Sequence, residues 1–337
     1  MSNQNYPDKT EKNTKIIFCG SPKSFTGNLR TNLELLRSKL GSDRLKFKLF
    51  TVGTLNPKKV AVAYLEGMAP PGLLQRLSNK IAGLKQEQLI GPGHLEMLIK
   101  DFPRSPFPQL LAVEKPEYAI NYLLEGKYLI LLEGSPTTLT APVTFSDFFE
   151  KPEDQNFHWS IRLFLQFLRF LATAVAGFLP ALYVAIITFH YYIIPVNFLI
   201  PLAESWAGVP FPPVVEILFL ETIIEILRES TVHITSPFGA GLGIGGGVLL
   251  GVAALSTQTI SSSTLIVSMV TLIASLILPT YDLGPTTRIL KFAFLIFAAL
   301  FGVLGLVVTA SLVVAHLVTL ESLGEPYLKP KFSFKLV

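Results

Sequence analysis

The chain has 337 residues, half of them hydrophobic and only 15% charged, whereas a soluble domain usually carries about 25% charged residues. This composition excludes a wholly soluble protein. The net charge of +4 arises from interspersed basic and acidic residues in the first half, which does not indicate a nucleic-acid surface. The single cysteine, Cys19, excludes a disulfide framework and a cysteine-based zinc site, and it fits a reduced compartment.

Charge density falls sharply near Trp159, because 20 of the 28 basic residues and 16 of the 24 acidic residues precede it. We therefore predict an α/β (or α+β) cytosolic domain followed by an all-α polytopic membrane domain. The polar start of the chain lacks the apolar core of a signal peptide, so the first domain is expected in the cytosol. The predicted parts are a disordered N-terminus (1–13), the cytosolic domain (14–158), the membrane domain (159–320) and a short tail (321–337).

The first domain alternates predicted strands, rich in Val, Ile, Phe and Tyr, with predicted helices that carry apolar residues at helical spacing. The predicted strands are 14–20, 47–53, 58–65 and 127–132, and the predicted helices are 25–40, 71–84 and 117–125. The sequence contains no glycine-rich loop after a strand, no nucleophile elbow and no carboxylate pair in a pocket-like context. An enzyme is therefore not indicated, and no cofactor is expected.

After Trp159 the apolar runs reach membrane length, because a hydrocarbon core of about 30 Å requires roughly 20 helical residues. The candidate spans are 171–189, 241–256, 263–279 and 292–318. Pro195 and Pro201 divide the segment 191–203 into pieces too short to cross. We expect that segment to be interfacial or re-entrant, with Tyr191, Tyr192 and Trp206 at headgroup level.

The positive-inside rule places two basic clusters on the cytoplasmic side: Arg162 with Arg169, and Arg288 with Lys291. The tail that follows Leu328 is basic as well. A cytoplasmic tail needs an even number of crossings after Lys291, but the hydropathy shows only one span there. The sequence alone leaves this conflict open.

The stretch PFPPVVEILFLETIIEILRES holds four glutamates and an arginine within the apolar half. On a helix, Glu221, Glu225, Arg228 and Glu229 fall within about 100° of one another, while Glu216 lies on the opposite side. The charged stripe fits an amphipathic helix that lies in the membrane interface with its charged face wet. It also fits a helix that faces a water-filled pore in a homo-oligomer, since rings of carboxylates line cation-selective pores. Arg228 has the spacing to pair with Glu225 or Glu221 and would be an internal counter-charge.

Glycines recur every fourth residue along the next apolar run, which permits close packing of helices in lipid. They are Gly239, Gly243, Gly247 and Gly251. A formal GxGxxG in this run lacks a surrounding βαβ unit, so it does not indicate dinucleotide binding. The five histidines, His94, His158, His190, His233 and His316, are scattered, and no metal site is predicted.

Taken together, these segments resemble the A subunit of GerA-type nutrient germinant receptors of endospore-forming bacteria. The matching stretches in the first domain are 20–40, 105–136 and 145–157. Those in the second half are 210–229, the glycine-rich run, 278–292 and 316–330. The glutamate-rich helix and the final Gly-x-Pro-Tyr at 324–327 are the most specific. The chain departs from the family pattern at 230–235, where Ser-Thr-Val-His-Ile-Thr replaces Ala-Gly-x-Arg-x-Pro.

The resemblance implies a multi-pass subunit in the lipid of the spore inner membrane that works with a transporter-like B subunit and a lipoprotein C subunit. It also implies that A subunits oligomerise into a ligand-gated ion channel that triggers germination. Two alternatives stay open: a non-conducting scaffold for the B and C subunits, and a component of a dipicolinic acid channel. The dipicolinic acid channel fits poorly with a glutamate stripe, because an anionic cargo and the carboxylates repel each other in a low-dielectric path.

Overall fold

The computed structural model describes residues 24–232, 238–277 and 282–329. The first domain is a five-stranded antiparallel sheet with helices on both faces, and its strand order is β1-β2-β4-β5-β3. Because every pairing is antiparallel, the domain has the α+β form of the predicted fold class. Its elements are α1 Leu29–Leu40, β1 Leu45–Val52, β2 Lys58–Leu65, α2 Pro71–Ala82, α3 Pro92–Ile99, β3 Leu111–Val113, α4 Pro116–Leu124, β4 Tyr128–Leu132 and β5 Thr138–Ala141.

The sheet has a hydrophobic core on each face, and strand alternation decides which side chain enters which core. In β2, Ala61 and Ala63 face α1 and α4, whereas Val60 and Val62 face α2 and α3. Strand β4 is buried along its whole length, because both of its faces are covered. The predicted helices and the strands at 47–53, 58–65 and 127–132 are confirmed. The predicted strand at 14–20, which contains Cys19, lies outside the described residues, as does His233.

The second half is helical and begins after two 3-10 turns, Phe145–Phe149 and Pro152–Asn156. Helices α5 and α10 are long and apolar enough to cross a membrane by length and composition, and α8 and α9 are shorter apolar helices. Helix α6 has 11 residues, which agrees with the prediction that this segment is too short to span. The helices are α5 Trp159–Phe189, α6 Val196–Trp206, α7 Pro213–Val232, α8 Phe238–Ser256, α9 Ser262–Leu276 and α10 Leu283–Thr319, followed by the short strands β6 Glu321–Ser322 and β7 Glu325–Pro326.

Helix α10 is a helical hairpin that reverses direction at Gly302. The backbone of Gly302 has φ 61° and ψ −139°, a region that is essentially restricted to glycine. Thr286 donates a hydrogen bond to the carbonyl of Pro106 (2.5 Å), and the ring of His316 lies 2.9 Å from the hydroxyl of Ser105. A straight helix would separate Thr286 from His316 by about 45 Å. In this structure they contact Pro106 and Ser105, which are adjacent in the chain. The two arms are 283–301 and 303–319.

Both ends of the hairpin are anchored in the first domain. Leu283 and Leu317 belong to the same hydrophobic core as α1 and α4. Beyond the second arm, Ser322 donates to the carbonyl of Gln109, and Tyr327 donates to that of Pro108 (2.7 Å each). The hairpin thereby returns the chain to the side from which it left. A reversal within residues 292–318 is what an even number of crossings after Lys291 would require.

Two carboxyl groups meet where the first arm docks on the domain. Asp282 accepts a hydrogen bond from the backbone N–H of Ala112 (3.3 Å), and Glu96 accepts one from the N–H of Gln109 (3.3 Å). Burial raises the pKa of Asp282. Burial, followed by the proximity of Asp282, raises the pKa of Glu96. The junction therefore favours neutral carboxyl groups and becomes more stable as the pH falls through these raised pKa values.

The hairpin predicts that the first domain and Lys329 lie on the same side of the membrane. In a Cys19→Ser background, Asp43→Cys and Lys329→Cys should react with an impermeant maleimide from the same side of sealed vesicles. Glu204→Cys, on the exposed surface of α6 beyond the far end of α5, is the control and should react from the opposite side. Labelling of Lys329→Cys only from the side of Glu204→Cys would contradict the hairpin.

The turn also predicts unequal effects of two glycine replacements within α10. Gly302→Ala should lower the free energy of unfolding by roughly 1–3 kcal/mol, because its φ is positive and the new Cβ would lie 2.9 Å from the Phe189 ring. Gly284→Ala is the matched control, since its Cβ would meet nothing within 4 Å. It should be neutral or stabilising by about 0.4–1 kcal/mol. Unfolding in detergent measures both, and equal effects would show that the turn is not at Gly302.

Candidate functional site

The charged residues of α7 lie within the helical bundle. The helix starts at Pro213, a favoured first position, and Glu216 in its first turn suits the positive end of the helix dipole. Ile217, Leu220 and Ile224 are buried against neighbouring helices. Helix α7 packs against α5, α8 and α9. The glutamates that project between these apolar contacts must therefore find partners inside the bundle.

Glu221 pairs with a lysine on the first arm of α10. The Oε2 atom of Glu221 is 2.7 Å from the Nζ atom of Lys291, and both residues are nearly inaccessible, at 0% and 4% exposure. The same Nζ atom lies 3.0 Å from Oε1 of Glu225. One ammonium group thus bridges two carboxylates that are one helical turn apart.

Two arginines complete this group. The Nη1 atom of Arg228 is 3.4 Å from Oε1 of Glu225, and its Nη2 donates to the hydroxyl of Ser275 on α9 at 2.5 Å. The Nε atom of Arg288 lies 3.6 Å from Oε2 of Glu225. We call Glu221, Glu225, Arg228, Arg288 and Lys291 the charge cluster. It joins α7, α9 and α10, and its three basic and two acidic side chains leave it with one excess positive charge.

A small cavity adjoins the charge cluster and is lined by both charged and hydroxyl side chains. The hydroxyl residues are Thr271, Ser275 and Thr287. Two atoms of the cluster, Oε1 of Glu221 and Nε of Arg288, are buried without a hydrogen-bond partner. Native proteins seldom leave such atoms unsatisfied, so the cavity suits a small polar occupant.

Glu216 has different surroundings, as expected from its position on the other side of the helix. Its Oε2 atom accepts hydrogen bonds from the backbone N–H (2.8 Å) and the hydroxyl (2.7 Å) of Ser261. Ser261 is the N-cap of α9, so the carboxylate lies at the positive end of that helix. Further hydroxyls of Thr264 and Tyr183 continue this network. Glu216 is thus held by a helix terminus.

The remaining predicted residues separate into two groups. Glu229 is exposed. Gly247 and Gly251 are buried, and Cβ atoms there would meet Leu227 of α7 and Leu265 of α9, respectively. The surroundings of Gly239 and Gly243 lie outside the described residues. The part of the glycine face that is described therefore packs on neighbouring helices.

A second buried ion pair joins α5 to the first domain. Arg169 contacts both carboxylate oxygens of Asp154 and donates to the carbonyl of Phe149 (3.1 Å). Burial acts to raise the pKa of Asp154, but the hydrogen bonds from Arg169 and from the backbone of Lys151, together with the positive charges of both residues, hold that pKa below its usual value. Arg169 is therefore fixed on the domain side of α5.

Across residues 24–232, 238–277 and 282–329, no group of three or more His, Cys, Asp or Glu side chains could hold a metal ion. The chemistry available at the charge cluster is electrostatic. Its buried carboxylates can hold a cation, and its basic side chains can neutralise them.

Sequence reasoning identified the glutamates and Arg228 but missed the roles of Lys291 and Arg288. The positive-inside rule uses these two only for orientation, and the structure adds that Lys291 is buried against Glu221. A usable signal was present, because Arg228, Arg288 and Lys291 are the only basic residues between Arg169 and Lys329. A buried stripe of glutamates requires counter-charges, and few candidates were available.

Comparisons with known proteins agree with one another. The family model described as Bacillus/Clostridium GerA spore germination protein matches residues 3–337. Spore germination protein GerQA of Bacillus cereus is 36% identical, over 98% of this chain and 66% of that protein. Spore germination protein B1 of Bacillus subtilis (strain 168) is 33% identical, over 95% and 66%. The uncharacterized membrane protein YfkQ of the same strain is 33% identical, over 96% and 63%.

The chain thus spans a little under two thirds of the length of these relatives. Among solved structures, the crystal structure of the N-terminal domain of the A subunit of the Bacillus megaterium spore germinant receptor GerK3 is similar. It is 27% identical, covers 36% of this chain and 97% of that chain, and has a TM-score of 0.31.

The buried ion pair predicts strong coupling between Glu221 and Lys291. Lys291→Met should lower the free energy of unfolding by roughly 3–5 kcal/mol, because it leaves buried carboxylates without their ammonium partner. The double variant Glu221→Gln/Lys291→Met should recover a substantial part of that loss. Unfolding in detergent of the parental chain, Glu221→Gln, Lys291→Met and the double variant gives the coupling energy. If the losses of the two single variants sum to that of the double variant within about 0.5 kcal/mol, the two residues do not interact.

Proposed function

The chain belongs to the Bacillus/Clostridium GerA spore germination protein family, and we propose that it is an A-type subunit of a nutrient germinant receptor in the spore membrane. In this proposal several copies assemble around a path for ions, and the path opens when a nutrient is sensed. B-type and C-type subunits complete the receptor.

The location in a membrane is supported by helix length and by exposed side chains. Helix α5 is about 46 Å long, which exceeds the thickness of a hydrocarbon core. The arms of α10 are about 28 and 25 Å long, close to that thickness. Large apolar side chains cover the outside of the hairpin, among them Leu300, Leu304, Leu312 and Val318. Such a surface suits lipid.

The orientation follows from the basic residues of the bundle. Arg162 and Arg169 lie within the first eleven residues of α5, and Arg288 and Lys291 lie within the first nine of α10, so all four are near the ends of these helices that adjoin the first domain. Arg169 contacts Asp154 of the segment that leads into α5, and Thr286, just before Arg288, contacts Pro106. The positive-inside rule then supports a cytoplasmic first domain and several crossings.

The observation that carries the channel proposal is the pair of carboxylates on α7. Glu221 and Glu225 lie inside an apolar bundle, where an unpaired carboxylate costs several kcal/mol. Such residues are uncommon within membrane helices and commonly mark ion pathways. In an oligomer, each copy would contribute the same two carboxylates to the path for cations once Lys291 releases them.

A second candidate is a scaffold that holds the other subunits and conducts nothing. The specific observation in its favour is that Lys291, Arg228 and Arg288 neutralise the stripe within one chain. A purely structural charge cluster requires no ion. Reconstitution of the purified chain alone separates the two functions, because a channel should release potassium from loaded vesicles and a scaffold should not.

The channel proposal predicts that Glu221→Gln/Glu225→Gln reduces potassium release at least tenfold in an assembled complex, because the carboxylates that attract cations are removed. Glu216→Gln, on the same helix but bound to Ser261, is the matched control and should keep release near the parental rate. Potassium and dipicolinate release from loaded vesicles or spores should be followed in parallel. Unchanged potassium release by a properly inserted double variant would contradict the pore role, and loss of dipicolinate release alone would favour an anion path.

A further inference from the structure

We propose that the carboxylates of Glu221 and Glu225 form a binding site for one monovalent cation, and that the ammonium group of Lys291 occupies this site as a tethered competitor. The inference rests on the proposed function and specifies how its site is closed. In this conformation a permeant ion and Lys291 would compete for the same oxygens. Withdrawal of the lysine would open the site.

The geometry around Lys291 is that of a small cation between oxygen atoms. Its Nζ atom lies 2.7 Å from Oε2 of Glu221 and 3.0 Å from Oε1 of Glu225. A potassium ion has nearly the size of an ammonium group and prefers oxygen ligands, as hard cations do. Further oxygens are close, because the hydroxyls of Thr271, Ser275 and Thr287 line the adjoining cavity. The buried hydroxyl of Ser268 on α9 also interacts with Glu221, and neither that hydroxyl nor Oε1 of Glu221 has a hydrogen bond of regular geometry.

The charges explain why a cation would be needed once Lys291 leaves. Arg228 and Arg288 form their ion pairs with Glu225, at 3.4 and 3.6 Å, whereas the ion pair of Glu221 is with Lys291. Without Lys291, the excess positive charge of the cluster disappears and Glu221 loses that pair. A buried carboxylate in this state strongly attracts a replacement cation.

The fold supplies a means of withdrawing the lysine. Lys291 lies on the first arm of α10, two turns after the docked residue Leu283 and close to the Thr286–Pro106 hydrogen bond. The second arm returns to the same domain through His316 and Ser105. The glutamates belong to α7, which packs on α5, α8 and α9. A displacement of α7 relative to α5 and the docked hairpin, which pack on each other, would therefore separate the ammonium group from the carboxylates.

The plain alternative is that Lys291 forms only a structural ion pair. The two cases differ in one measurable respect, the response of lysine-free variants to potassium. If the carboxylates form a cation site, potassium should replace the lost ammonium group and stabilise the folded chain. If the pair is structural, the variants should be destabilised equally in all salts.

The test compares thermal unfolding of the purified chain in potassium chloride and in choline chloride at equal ionic strength, because choline is too large for the site. Lys291→Met and the more conservative Lys291→Gln should each melt about 3 °C or more higher in potassium. The parental chain and Glu221→Gln/Lys291→Met should show no difference between the salts. Lys291→Gln keeps the test decisive where Lys291→Met does not fold.

Lys127→Met is the matched control for general salt effects. Lys127 is also buried and also lies between two carboxylates, 2.8 Å from Oδ2 of Asp147 and 3.3 Å from Oε2 of Glu125. Its site differs because Glu125 is partly exposed to water and Asp147 also accepts a hydrogen bond from the backbone N–H of Thr144. Lys127→Met should have the same melting temperature in potassium chloride and in choline chloride. A potassium-specific shift in Lys127→Met as large as that in the Lys291 variants, or no shift in Lys291→Gln, would overturn the proposed site.

Rubidium flux through vesicles separates this inference from the proposed function. Lys291→Gln should leak rubidium without any nutrient, at least tenfold faster than the parental chain. A potassium-specific melting shift without any leak would support the cation site and count against the channel. A leak without the melting shift would support the channel and overturn the site.

Discussion

The ion pair between Lys291 and Glu221 is the constraint on which the arrangement of the helices depends. Neither charge can remain unpaired between apolar helices, because the loss of hydration costs several kcal/mol. The pair therefore fixes the rotation of α7 about its axis and the position of the first arm of α10. Glu225 and Arg228 extend the same requirement to α9 through Ser275. Apolar packing alone would leave these helices free to slide, because lipid and leucine side chains are equally apolar.

The hairpin of α10 connects this ion pair to the first domain. A straight helix of 37 residues would carry its second end far from that domain. The reversal at Gly302 brings both ends back, where Leu283 and Leu317 enter one core and β6 and β7 add hydrogen bonds. The domain therefore holds α10 at two points.

The sequence predicted most of the elements and missed their contacts. Strands β1 and β2 follow from β-branched and aromatic runs, and α1 from the spacing of its leucines. The reversal at Gly302 was not predictable from hydropathy, because residues 292–318 are apolar throughout and glycine is common in membrane helices. The partner of Glu221 is 70 positions away, and no periodicity connects residues at that distance. Helical projection did separate Glu216 from the stripe, because that distinction is local.

The two buried carboxylates of α7 differ in what holds them, and this difference assigns them different roles. Glu216 accepts from the backbone N–H and hydroxyl of Ser261, and the backbone donor is fixed at the start of α9. Glu221 accepts from an ammonium group at the end of a flexible side chain on another element. Rotation of that side chain or movement of the arm removes the donor while every helix stays intact. A permanent contact and an exchangeable one thus lie on one helix, and an ion can replace only the second.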